Sequence, residues 1–325
     1  MRVLRSPETE GKRDPSNGPV YLNLGNVGNF GNLGNARMGA SISMRRRLAF
    51  VSMMAVLIAA PAAAQQRPLV TEDPETIGSG NILFEGGFDL QKEIFYPVSG
   101  LEGDLLRVPV LGLSFGLSSI AELQIDGGLY NRLHVNHRSP APLSSMLDFT
   151  GDNTSDFEDI TVATKIRVVS ETAGRPAIGL RFATKLPNAS NENGIGTDTT
   201  DFYVSLLTGK TVQSIRLVGN AGLGILGDPT RGDRQADILA YGFSVARAVR
   251  QGVEIVGEIN GRYQPNDDLE APPGSDTRAA MRFGGRFTHR TVRIDGGIIV
   301  GLTKRDPSFG ITGGVTWVFH GFNVP

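Results

Sequence analysis

Any chemistry in this chain has to come from a short inventory. Among its 325 residues none is cysteine and four are histidine: His134, His137, His289 and His320. The missing thiol excludes a Cys nucleophile, a thiolate metal site, a disulfide framework and a lipid anchor on Cys. A serine nucleophile needs a histidine beside it. Strand parity turns His134 toward an interior, His137 falls in a loop, His289 in a tight turn, and His320 trails the last strand. No Ser–His pair is set up, which argues against lipid hydrolysis. His134 and His137 with Asp148 and Asp152 match no compact metal-ligand spacing. The run from Asp148 to Asp156 has a calcium-loop composition without the closing bidentate Glu. Gly222, Gly224 and Gly227 precede no helix pattern, so they make no phosphate cradle. The sequence therefore assigns no catalytic residue, cofactor or metal.

What remains is charge at regular spacing. Arg278, Arg282 and Arg286 recur every four residues, as do Glu254, Glu258 and Arg262. Residues an even number apart share one face of a strand. The same parity collects Glu85, Asp89, Glu122, Gln124, Asp126, Asp159, Lys165, Arg167, Arg181, Lys185, Arg216, Arg293 and Asp295. Each alternates with apolar neighbours. If those neighbours meet lipid, the charges must face water or one another, because Arg or Lys at mid-depth on a lipid face costs about 2–4 kcal/mol. Acids dominate the early strands and arginines the late ones. Two readings stay open: a charged constriction that sorts solutes by sign, or a narrow interior closed by ion pairs.

The elements that must hold these charges read as strands. Ile160, Val162, Thr164, Ile166 and Val168 alternate with Asp159, Thr161, Ala163, Lys165 and Arg167. Such period-two segments recur near 81–93, 107–117, 121–135, 157–170, 177–187, 200–209, 214–227, 237–247, 252–264, 277–288, 292–303 and 309–319. A tilted strand needs about 9–11 residues to cross a bilayer, and no later stretch is apolar for the roughly 20 residues a helix needs. The connections alternate between short (118–120, 171–176, 210–213, 248–251, 289–291) and long (94–106, 136–156, 188–199, 228–236, 265–276, 304–308). Short inner turns and long outer loops are the habit of bacterial outer-membrane barrels. The expectation is an all-β, 12-stranded antiparallel transmembrane β-barrel over 81–319, both its ends in the periplasm. Phe95, Tyr96, Tyr130, Phe157, Tyr263, Trp317 and Phe319 stand near strand ends, where interfacial girdles form. Glycines inside strands allow close packing and bending.

The N-terminal region fits an exported protein. Arg45-Arg46-Arg47 precede an apolar run from Leu48 to Ala60 and the small residues Ala62, Ala63 and Ala64. This is the pattern of a cleaved signal peptide over 44–64, cut after Ala64. Residues 1–43, with the repeat Gly25-Asn26-Val27-Gly28-Asn29, are expected to be a disordered leader or to reflect a misassigned start, Met44 being the initiator. Residues 65–80 read as a periplasmic segment and 320–325 as a tail. The whole chain has net charge −1, but residues 1–64 hold eight basic and three acidic side chains, which leave 24 basic against 30 acidic beyond them. No basic surplus remains for nucleic acid.

One local pattern adds a family. The strand Asp159 to Arg167, then Pro176-Ala177-Ile178-Gly179-Leu180, then Lys185-Leu186-Pro187-Asn188 and Gly194-Ile195-Gly196-Thr197-Asp198 resemble the outer-membrane family called MetA-pathway of phenol degradation. Asn188 departs from the Thr or Ser expected there. The resemblance implies a transporter-like outer-membrane barrel that moves small solutes, hydrophobic or aromatic ones included, and it supplies no catalytic residues. The implied partners are outer-membrane lipid, the barrel-assembly machinery and a small-molecule solute. The alternatives are an outer-membrane lipid-modifying enzyme and a plugged structural or surface-binding barrel.

Overall fold

The computed structural model describes residues 67–265 and 271–324. The expected signal peptide and leader lie outside them. The described residues hold no helix long and apolar enough to cross a membrane; their long elements are strands. These are β1 Asn81–Tyr96, β2 Leu101–Gly116, β3 Ala121–Gly128, β4 Asn131–Arg138, β5 Asn153–Asp156, β6 Thr161–Val169 and β7 Ala177–Lys185. They continue as β8 Asp201–Val212, β9 Ile215–Gly227, β10 Gln235–Arg250, β11 Val253–Tyr263, β12 Arg278–His289, β13 Val292–Gly301 and β14 Phe309–His320.

Fourteen strands make twelve staves. β2 pairs with β3 along one half and with β4 along the other, so β3 and β4 form one stave. β4 pairs with β5 as β3 pairs with β6, so β5 and β6 form the next. Every other strand pairs antiparallel with its sequence neighbour, and β14 returns to β1 from Asn81↔His320 to Lys92↔Phe309. The closed ring satisfies backbone groups that lipid cannot.

Two expectations about the strands are corrected. The link 94–106 is mostly strand: β1 and β2 run on to Tyr96 and Leu101 and leave only a tight turn. His134 does not face the interior. Pro109 has no N–H to give the ladder, and opposite it β3 breaks from β4 at Leu129–Tyr130. Alternation restarts there, so Asn131, Leu133 and Val135 point inward and are buried while His134 is exposed.

Outside, the barrel presents apolar side chains. Phe182, Phe202, Leu223, Phe243, Ile255, Phe283, Ile294 and Trp317 are all exposed. Of the expected girdle, Tyr130, Phe157, Tyr263 and Trp317 are exposed as well. Tyr96 instead packs on a buried cluster of Ile94, Leu101, Leu105, Leu133 and Val135 at the long-loop end. There the loop after β7 is tied down: Ser99 Oγ donates to the Gly194 carbonyl (2.6 Å) and Thr154 Oγ1 to that of Asn193 (2.8 Å).

Candidate functional site

The interior is crossed by the chain itself. Residues 67–77, which precede β1, are expected to be periplasmic; instead they touch staves all round the ring, which is possible only inside it. We call this segment the strap. Arg67 donates to the Gly313 carbonyl (2.8 Å) and to Thr312 (3.1 Å) and faces Asp295 at 3.6 Å. Its carbonyl accepts from Arg286 Nε (2.7 Å). The Val70 and Thr71 amides donate to the Glu258 carboxylate at 2.8–3.1 Å. Asn220 accepts from the Glu72 amide and donates to the Glu72 carbonyl, both at 2.7 Å. The Ile77 amide ends the crossing on Glu122 (2.8 Å). Wall side chains thus satisfy backbone groups that have no strand partner, as buried polar groups require.

Glycines floor its track. The nearest atoms to a Cβ at Gly242 would be those of Thr71, from 2.8 Å. One at Gly284 would lie 2.9 Å from the Pro68 ring, and Pro74 rests on Gly179 and Gly209 in the same way. Close backbone approach is a standard reason for glycine within a strand, and here it is what makes room for the strap.

The strap's three acids meet four bases of the wall. Glu72 lies 3.3 Å from Lys165 and 3.1 Å from Arg181. Asp73 takes a two-pronged contact from Arg216 at 2.6 and 2.9 Å. Glu75 pairs with Arg167. Lys165 is fully buried and holds Glu122 at 2.9 Å. Paired, hydrogen-bonded charges are the form in which buried ions are tolerated.

The remaining charged positions lie on the same inner face. Arg107, at which the expected second strand begins, bridges Asp89 (2.8 Å) and Glu158. Lys185 spans Asp159 (3.0 Å) and Asp201 (3.1 Å). Asp126 is 3.6 Å from Arg181, and Glu85 accepts from Thr316 at 3.1 Å. On the late strands Arg282 faces Glu258 (3.5 Å), and Arg286 and Arg293 both approach Glu254 (3.9 and 3.7 Å). Toward the long-loop end Arg262 donates to the carbonyls of Asp276 and Gly274, and Arg278 to that of Phe95. A cleft of about 190 Å³ opens beside the strap, lined by Arg67, Val70, Asp89, Arg107, Asp126 and Arg282. Opposite, on β8–β10, the wall is apolar, with Leu226, Ala236 and Ile238 buried against Tyr203.

Sequence reasoning missed Arg67, Glu72, Asp73, Glu75 and Asn220. The strap has no periodicity, and only its three acids within four residues, set against a wall rich in arginine, could have drawn attention to it.

A closed antiparallel ring, apolar outside and charged within, defines a β-barrel of the outer-membrane type. The chain belongs to the family described as MetA-pathway of phenol degradation, whose model matches residues 71–320. Among solved structures it is similar to an outer membrane channel from Pseudomonas putida F1, at 14% identity and TM-score 0.53, over 76% of this chain and 98% of that one. It is also similar to the NanC porin, at 10% identity and TM-score 0.45, over 74% and 100%. No curated protein matches it.

Proposed function

We propose that this barrel is an outer-membrane channel for uptake of small solutes, aromatic ones included, and that the strap closes it at rest. The observation that carries the reading is how the strap is held. It is gripped by side chains on a glycine track rather than built into the ladder, so it can leave without costing the barrel a single inter-strand bond. A cleft of about 190 Å³ beside it is of the size class that admits one aromatic ring, since an apolar cavity of about 150 Å³ holds benzene. The family description supports aromatic solutes.

On this reading both barrel ends lie in the periplasm, which the even stave count and the short turns on that side support. Outer-membrane lipid surrounds the outer face and the assembly machinery engages β14. The protein acts without catalysis; His134 meets Asn153 and His320 meets Asn323, neither of which is a nucleophile.

The test is conductance in planar bilayers. The wild-type protein should open rarely, and Gly242→Val, whose Cβ would lie 2.8 Å from Thr71 Oγ1, should raise mean current several-fold with the barrel intact by heat-modifiable gel mobility. A folded Gly242→Val barrel that stays silent would favour the second reading, a plugged structural barrel, for which the burial of Glu72 and Pro74 speaks.

A further inference from the structure

The strap is chemically biased in a way that closure alone does not demand. Its Glu72, Asp73 and Glu75 carry three carboxylates in four residues, and the fourth residue, Pro74, is a ring. That ring is fully buried on the glycines of β7 and β8, with a carboxylate on either side. Lys165, Arg167, Arg181 and Arg216 receive the carboxylates. When the strap leaves, Lys165 keeps Glu122 and Arg216 keeps Glu171. Among the described residues Arg167 is then left with the Ser119 carbonyl, and Arg181 with Gln124 and a 3.6 Å approach to Asp126. Guanidinium forks are suited to planar carboxylates. The vacated berth is thus a flat apolar floor rimmed by donors for a carboxylate.

Further toward the long-loop end, Arg262 and Arg278 are register partners on β11 and β12. Among the described residues their only hydrogen-bond partners are backbone carbonyls. Arg282 follows one repeat deeper. Rings and rows of arginine are the means by which anion pores select.

From this we infer that the strap occupies the solute's own site, and that the solute is a small cyclic organic acid whose carboxylate displaces those of the strap. This rests on the channel reading and narrows it from small solutes to ring-bearing anions.

The experiment uses the full-length protein in planar bilayers with three probes that share a ring: benzoate, an anion; phenol, neutral; and benzylamine, a cation. For the wild type, benzoate at millimolar concentration should raise mean current several-fold, and phenol and benzylamine should not. A variant combining Glu72→Gln, Asp73→Asn and Glu75→Gln should conduct without added solute and prefer anions in a salt gradient. In it benzoate should now reduce the current, because the berth is free to take it. Equal effects of benzoate and phenol on the wild type, or a cation preference in the variant, would overturn the inference while leaving a conducting barrel. If neither protein passes current with any probe, the channel reading fails and takes this one with it.

Discussion

Lys165 shows how far single residues were legible. Its place in an alternating strand puts it on the inner face, and so does that of Glu122, 2.9 Å away. Its second partner, Glu72, comes from a segment without period and could not be paired from sequence. Glu171 lies in the turn between β6 and β7 and meets Lys210, Thr211 and Arg216. Burial alone would push its carboxyl up; the Thr211 amide, Lys210 and Arg216 outweigh that and hold it below the usual carboxylate range. A carboxylate with a depressed folded value stabilises the fold above its unfolded value, near 4.3, and loses that contribution as pH falls through the folded one. Glu171→Gln should therefore lower the unfolding temperature in detergent at neutral pH. The gap from wild type should shrink as the pH drops below about 4.3, and a gap that persists unchanged in strong acid would contradict this.

At the scale of the element, β12 displays the division of labour most plainly. Arg282 and Arg286 face inward to Glu258 and Glu254, while Phe283 between them is 49% exposed on the outer side. Phe283→Arg puts a charge into hydrocarbon near mid-depth and should cost about 2–4 kcal/mol. Folding into lipid vesicles, followed by denaturant titration, measures it; an unchanged midpoint would mean that this face does not meet lipid. Strands of this kind were legible because period two survives from one residue to the next. The stave of β3 and β4 was not, because its break answers Pro109 on a different strand. Parity counted along one segment cannot register an interruption imposed by its neighbour, which is why His134 was placed on the wrong side.

For the whole molecule, the count of twelve staves followed from the twelve period-two segments, and their closure from the need to pair every edge in lipid. The content of the ring did not follow. Nothing local in residues 67–77 marks them as interior; that depends on glycines and counter-charges scattered over most of the wall.

The strap also has a polarity. Its trailing end is fused to β1 at the short-turn end, so that is its way out. Arg67 against Glu72, Asp73 and Glu75 leaves it two negative charges in excess. An elementary charge crossing a full potential of 100 mV gains about 2.3 kcal/mol, an energy comparable to a charge-assisted hydrogen bond of about 1.5–3 kcal/mol. The protein should accordingly behave as a diode, passing more current when the short-turn compartment is positive and draws the strap out. With the three acids neutralised only the Arg67 cation remains, and the favoured direction should reverse. A current–voltage curve recorded on singly oriented barrels would read the sign directly, and symmetric curves from both proteins would show that the strap does not move in the field.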